Sequence, residues 1–364
     1  MIDIDPQALL RLWSVPRIGS QRIRNLIARF KNPDAVLRAS PRELVEIEGI
    51  DKTLAYQIKN KSDPQFAAKQ MQMMKKVNAR LISFWDKNYP SMLKNIFDPP
   101  VLLFVRGQIE PLQIPGLAIV GTRNPSAYGK VITEKFSREI ASQGVIITSG
   151  LARGVDTIAH RSTVACGGKT VAVVGTGVDV FYPFENKELA TQIIASGALI
   201  SEFPMGDKPD APHFPRRNRI ISGMSQATLV IEAGKGSGAL ITADFALEQG
   251  KDIFAVPGNI SSPKSFGTNR LIQDGAAIAL CPDDILNTLN IDPTQKTPLT
   301  PATPIPPLSK DENQILKILS NEPMHIDLIA KKTDTSTSHS LSVLLSLELK
   351  NLVRQMAGKN FIRI

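Results

Sequence analysis

The sequence predicts an α/β protein built on a doubly wound parallel sheet, with a smaller helical unit at each end. Three observations carry this. Between Leu117 and Val256, short apolar runs rich in β-branched residues alternate with helical periodicities. The first two runs end in glycine turns, Gly121-Thr122-Arg123 and Ser149-Gly150-Leu151-Ala152-Arg153-Gly154. Residues 291–308 then hold six prolines and no helical period, which sets this core apart from a tail with helices of its own.

A chain of 364 residues is long for one domain, and two or three are expected. Its hydrophobic content of 42% and mean hydropathy of −0.05 fit a soluble globular protein. No apolar run approaches the ~20 residues of a membrane span. The start, MIDIDPQALLRLW, lacks the basic-then-apolar order of a signal peptide. Two cysteines, Cys166 and Cys281, supply neither a disulfide framework nor a metal cluster, so a reducing cytoplasm is the expected compartment. The net charge of +9 points to a polyanionic partner. That charge is unevenly spread. Residues 1–90 hold 16 Lys/Arg against 9 Asp/Glu, residues 91–309 hold 19 of each, and residues 310–364 hold 8 against 6. A polyanion site in the core must therefore come from local placement of a few cations.

Residues 1–75 read as a helical domain with two similar hairpins. Val15-Pro16-Arg17-Ile18-Gly19 is followed by Ile23, Leu26, Ile27 and Phe30, and Ile47-Glu48-Gly49-Ile50 by Leu54, Ala55 and Ile58. Both resemble helix-hairpin-helix motifs of a SAM-like domain, in which turn N–H groups hold a DNA phosphate. The usual motif has two glycines. Each copy keeps one, with Arg17 and Asp51 at the other positions. Two roles stay open for this unit: DNA contact, or packing and recruitment.

The core is expected over residues 76–290. Leu81–Trp85 and Val101–Gly107 read as strands leading into the sheet, around a Tyr89-Pro90 turn. Further strands are expected at Leu117–Val120, Val145–Thr148, Thr170–Val174, Ala198–Ile200, Thr228–Ile231 and Ile253–Val256. Helices are expected at Gly129–Gln143, Val155–Cys166, Asn186–Ala195, Asn218–Met224 and Gly238–Gln249. Strands this apolar are covered on both faces, as in a Rossmann-like parallel sheet with right-handed crossovers.

Such sheets bind ligands at the carboxyl ends of their strands. A glycine there brings the backbone close to a ligand and offers unhindered N–H groups. The candidate phosphate contacts are Gly121, Thr122, Arg123, Ser126 and Gly129 around the first turn, and Ser149, Gly150, Arg153 and Gly154 around the second. Ser237 and Gly238 in Glu232-Ala233-Gly234-Lys235-Gly236-Ser237-Gly238 extend them, as do Thr242 beyond it and Lys187, Arg217 and Asn218. Arginine supplies charge and a fork matched to phosphate. Several such turns on one sheet edge suit consecutive phosphates of a single strand, and one alone suits a mononucleotide. Tyr128, Phe181, Tyr182 and Phe214 stand near these loops as stacking surfaces for bases. In His213-Phe214-Pro215-Arg216-Arg217-Asn218-Arg219, Arg217 and Arg219 either reach the strand edge or pair with Glu202 or Glu232.

Asp156 and His160, four residues apart on one helix, are a candidate acid–base pair; a carboxylate near a helix start is equally a stabilising feature. No Ser/His/Asp trio, metal-ligand spacing or Walker pattern appears, so neither a metal nor a cofactor is expected. Beyond the proline-rich residues 291–308, residues 309–364 give helices at Asp311–Leu319, Met324–Lys332 and Thr337–Leu349 and a ribbon at Leu352–Ile364, the pattern of a winged helix. The third helix supplies few cations, with Ser338, His339, Ser342 and Lys350 as its candidate contacts, so duplex binding through it is expected to be weak.

GTRNPSAYG, SGLARGVDTIAH, GTGVDVFYP, SEFP, FPRRNRIISGMS, EAGKGSGALITADFALEQG, AVPG and SFGTNRLIQDGA follow in this order from Gly121 to Ala276. The set closely resembles the DNA-processing protein A (DprA/Smf) family. The resemblance implies binding and protection of single-stranded DNA, loading of the RecA recombinase during natural transformation and recombination, and no catalysis. It also implies a homodimer, with Asn269, Ile272, Gln273 and Ile278 in the dimer and RecA contact region. Two alternatives stand beside it. One is a nucleotide phosphoribohydrolase-like enzyme, whose Pro-Gly-Gly-x-Gly-Thr-x-x-Glu loop has its glutamate where this chain has Leu240. The other is a regulator that binds duplex DNA through the winged helix.

Overall fold

The computed structural model describes residues 4–289, 308–320, 323–350, 352–356 and 358–363. The proline-rich stretch 291–308 lies outside the described residues but for Leu308. The core is one nine-stranded sheet: β1 (Ala79–Ser83), β2 (Leu102–Gly107), β3 (Gly116–Gly121), β4 (Ile146–Ser149), β5 (Thr170–Val173), β6 (Ala198–Ser201), β7 (Ser225–Ile231), β8 (Asp252–Ala255) and β9 (Ala277–Ile278). Their spatial order is β1-β2-β6-β5-β4-β3-β7-β8-β9. From β6 to β9 neighbours run parallel. β2 is antiparallel to β6, and β1 to β2. The chain winds outward from β3 through β4, β5 and β6 and then returns to start β7 on the other side. The direction of winding reverses between β3 and β7, which opens a crevice above their carboxyl ends.

β4, β5 and β6 are buried along their whole length, with helices covering both faces. One helix starts well before the expected Asn218. It runs His213–Gly223, because Pro215 falls in the first turn, where its missing N–H costs no helical hydrogen bond. The early start places Phe214, Arg217 and Asn218 on a single helix.

Six helices precede the sheet: Pro6–Trp13, Gly19–Phe30, Pro33–Arg38, Pro41–Val45, Lys52–Lys61 and Pro64–Lys76. Asp5, Asn32, Asp51 and Asp63 cap four of them, and Ser40 forms a capping box with Glu43. They pack directly on the sheet. Leu9, Ile23 and Leu26 share a core with Leu102, Phe104 and Leu199. The Trp13 and Phe104 rings lie 6.2 Å apart, and Gln70 exchanges two hydrogen bonds with the Met205 backbone at 2.7 and 3.3 Å. Both hairpin turns are clamped from within. Arg22 donates to the carbonyls of Gly49 and Arg17, each at 2.8 Å.

The tail has helices Lys310–Ile318, Ile326–Thr333 and Thr337–Leu349, with a three-stranded sheet of Met324–His325, Val353–Met356 and Asn360–Arg363. It is a winged helix with its own core of Ile315, Ile329, Leu344, Leu347 and Phe361. The second helix does not begin at Met324 as expected. Met324 and His325 pair with Phe361 and Asn360 as a strand, and the His325 ring accepts from the Asp327 N–H to cap the helix after it. Arg354 on the wing grips Glu134 of the core through two bonds of 3.0 and 2.8 Å.

Because the helical unit and the sheet share one apolar core, Phe104→Ala is expected to cost ~3–5 kcal/mol. Trp13 fluorescence and far-UV circular dichroism should both shift to lower urea. A Trp13 transition left in place would show two independent cores.

Candidate nucleic-acid interface

The crevice between β3 and β7 is an open groove of about 790 Å³, lined by Arg123, Tyr182, Phe214, Arg217, Asn218 and Thr242 among others. Arg123 follows β3 on an exposed turn, with its guanidinium carbon 5.9 Å from the Phe214 ring centre. No carboxylate pairs with it among the described residues. Tyr182 stands 5.7 Å from the same ring, so one wall combines a cation with two aromatic faces.

The opposite wall is the loop after β7. A Cβ on Gly236 or Gly238 would meet nothing within 4 Å, and Gly236 has φ +74°. Here the backbone is open to a ligand. Lys235 stands exposed in the same loop. It is absent from the candidate contacts read from the sequence. The signal was present, a lysine in a glycine-rich turn, but without the Lys-Ser/Thr ending of a phosphate loop it had no motif to mark it.

The other glycines serve the protein's own packing. A Cβ on Gly121 would collide with the Ile231 carbonyl and Val155. One on Gly129 would strike the Glu232 carboxylate, one on Gly150 the Arg217 guanidinium, and one on Gly154 the Thr122 carbonyl. Two of the expected hydroxyl donors are likewise turned inward, since a buried hydroxyl must find a partner. Ser126 caps the helix Ala127–Ala141, and its hydroxyl donates to buried Glu232, which also accepts the Ser126 N–H at 2.8 Å. Ser149 is fully buried and donates to the Ile119 carbonyl at 2.6 Å. Thr122 accepts from the Asn124 N–H at 3.2 Å. Ser237 caps the helix Gly238–Glu248, and Asn218 ties that helix to its own through the Gly238 carbonyl at 3.3 Å.

Of the clustered arginines, Arg219 pairs with Glu202 at 2.5 Å, and Arg216 reaches the same carboxylate at 3.6 Å. Arg217 is 4% exposed. Its Nη1 donates to the carbonyls of Gly150 and Val173. Burial pushes it down to about 10, so it stays cationic at neutral pH. Arg153 is exposed and pairs with Glu185 through bonds of 2.9 and 3.0 Å. Lys187 lies 5.7 Å from the exposed Phe184 ring.

Asp156 and His160 do not form an acid–base couple: no hydrogen bond or ion pair joins them among the described residues. Asp156 accepts the N–H groups of Gly150 and Ala152 at 3.1 and 3.3 Å and so shapes the second glycine turn. Burial raises its carboxyl, against the pull of the Arg217 charge. The His160 Nδ1 lies 2.7 Å from the Thr170 hydroxyl, which itself donates to Ile147, so Nδ1 carries the proton. Burial holds this imidazole at about 3. Near β9, Asn269 turns inward to bond both backbone groups of Gly258 at 2.9 and 3.1 Å. Gln273 accepts from Arg270 at 3.2 Å, Ile272 is half-buried and Ile278 is 48% exposed.

A Rossmann-like sheet with unpaired cations and open glycine amides at its switch point, set between a helix-hairpin-helix unit and a winged helix, defines a DNA-binding class of protein. The chain belongs to the DprA/Smf family. The profile of the DNA recombination-mediator protein A family matches residues 80–290, that of the DprA winged helix domain residues 299–359, and that of a SAM-like helix-hairpin-helix tandem residues 9–61. The chain is 34% identical to Protein Smf of Synechocystis over 98% of both chains. It is 44% identical to the DNA processing protein DprA of Bacillus subtilis over 56% of this chain and 69% of that one. The crystal structure of Streptococcus pneumoniae DNA processing protein A aligns with a TM-score of 0.70 and 34% identity, covering 78% of this chain and 98% of that one. A Helicobacter pylori structure described for its single-stranded DNA binding mode aligns at 0.54 with 30% identity, covering 58% and 95%.

The stability of this protein is expected to fall as pH drops from about 6.5 towards 3. Over that window the unfolded chain binds a proton that folded His160 refuses. His160→Gln keeps a neutral hydrogen-bonding group and should flatten that part of a urea-midpoint profile. Parallel profiles for the two proteins would rule out a buried neutral histidine.

Proposed function

We propose that this chain binds single-stranded DNA without sequence specificity, protects it, and assists loading of the RecA recombinase in natural transformation and recombination. The observation that carries this is the unequal use of the switch-point residues. Gly121, Gly129, Gly150 and Gly154 are filled by the protein itself, while Arg123 and Gly238 line the groove and Lys235 and Gly236 stand exposed in the loop that leads to Gly238. Cations and amides of this kind contact phosphates and not base edges. The Tyr182 and Phe214 rings beside them accept bases by stacking, which tolerates any sequence. The Helicobacter pylori relative's single-strand binding supports the same reading.

In this reading the helical unit of residues 1–75, the core of residues 76–290 and the winged helix of residues 309–364 are three functional units. A homodimer is part of it. The edge strand β9 is short and exposed, and Ile260, Phe266, Ile278 and Leu280 around it are apolar and exposed. Of the expected contact residues, Ile272, Gln273 and Ile278 remain candidates on this surface, and Asn269 supports it from behind by holding Gly258. Groove contact is assigned to Arg123, Lys187, Asn218, Gly238 and Thr242, joined by Lys235.

Arg123→Ala should weaken single-strand binding by ~1–3 kcal/mol, the scale of a charge-assisted contact. Unchanged titrations at ~0.1 M salt would remove Arg123 from the interface. Affinity should fall with salt at a shallow logarithmic slope of about −2 to −4, as for three to five neutralised phosphates. Strong preference for one sequence or for duplex would move the function to the winged helix.

A further inference from the structure

The groove has a small side pocket of about 30 Å³, which shares Arg123, Tyr182, Phe214 and Arg217 with the groove wall. Gly150, Gly175 and Thr176 also line it. It has room for about two waters, and so for a small polar group but no nucleoside. Three arginines line it: Arg217 and Arg123, both shared with the groove, and Arg153. Arg217 is the telling one. It is almost wholly buried, it faces both cavities, and its Nε has no hydrogen-bond partner. Its Nη1 bonds are to neutral carbonyls, and no carboxylate forms an ion pair with it among the described residues. A buried cation with an unused donor is costly until an anion arrives.

The shape of the pocket selects the anion. A phosphodiester inside a strand has a nucleoside on both sides, and a recess of about 30 Å³ has no room for them. A terminal phosphate monoester hangs from one bond, carries about −1.5 to −2 charge near neutral pH, and presents three oxygens to fork-shaped donors. We infer that this pocket is a subsite for the terminal phosphate of a single strand, with Arg217 at its floor and Arg123 at its mouth. The inference rests on the single-strand reading above. Arg153 is a reserve cation: its exposed bond to Glu185 is a solvated pair that an entering dianion displaces.

The test uses the full chain and short oligonucleotides of one sequence, ended by a 5′-phosphate, a 3′-phosphate or hydroxyls alone. One phosphorylated strand should bind about tenfold more tightly than the hydroxyl-ended strand, a difference of ~1.4 kcal/mol. Equal affinities for all three overturn the subsite and leave the single-strand reading standing. Failure of every strand to bind overturns both. A deoxynucleoside monophosphate titrated alone separates a strand end from a free nucleotide: an affinity equal to that of the phosphorylated strand would assign the pocket to the nucleotide and overturn the strand-end inference. Arg217→Gln, checked for folding by its melting curve, should bind the three strands alike, and a preference that survives it overturns the role of Arg217.

Discussion

The buried guanidinium of Arg217 is the interaction on which the groove depends. It lies where Gly150 has no side chain, and it draws the carbonyls of Gly150 and Val173 to one point. Asp156 takes the N–H groups of the same turn, so donor and acceptor sides of the backbone are held by opposite charges that do not touch. Leaving either backbone set unpaired in a buried site would cost on the order of 1–3 kcal/mol per group. With the β4 and β5 ends fixed in this way, the helix His213–Gly223 is fixed too, and with it Phe214 and Asn218. Arg217 thus positions the groove and also lies beneath it.

The second constraint is the packing of the two glycine turns against each other. Gly121 and Gly154 have no room for a side chain because β3, β7 and the helix Val155–Ala165 meet there. Glu232, buried beside them, is held by Ser126 and fits only because Gly129 lacks a side chain. This dense floor allows a core of zero net charge over residues 91–309 to present cations at its surface. Of the buried acids, Glu202 is on Arg219, Asp156 on backbone amides and Glu232 on Ser126. Above them Asp210 is an exposed acid of the groove wall, and Arg123 and Lys235 have no carboxylate partner among the described residues.

The N-terminal unit carries most of the net positive charge, yet it is built into the sheet and not tethered to it. Trp13, Phe104 and Gln70 join the two across an apolar face. Its hairpin turns are drawn together by Arg22, which uses the carbonyls and leaves the turn N–H groups aside. The winged helix differs, with a core of its own and a charged clasp, Arg354 on Glu134.

The sequence by itself determined eight of the nine strands of the sheet, the helices between β3 and β8, the winged helix and the edge of the sheet at which the functional residues gather. Those features follow from local periodicity, glycine turns and caps, each of which acts within a few residues. The sequence did not distinguish a glycine that admits a ligand from one that admits a neighbouring side chain. Gly150 and Gly238 look alike in sequence. Only the fold brings Arg217, 67 residues away, against the first and leaves the second open. The same holds for Ser126 and Ser149, whose hydroxyls are consumed by Glu232 and Ile119, and for Asp156 and His160, whose helical spacing suggested a partnership. Burial between different strands sends each to a separate partner. Pairing across long sequence separations is set by tertiary packing, and there the roles of Arg217, Arg219 and Arg123 were decided.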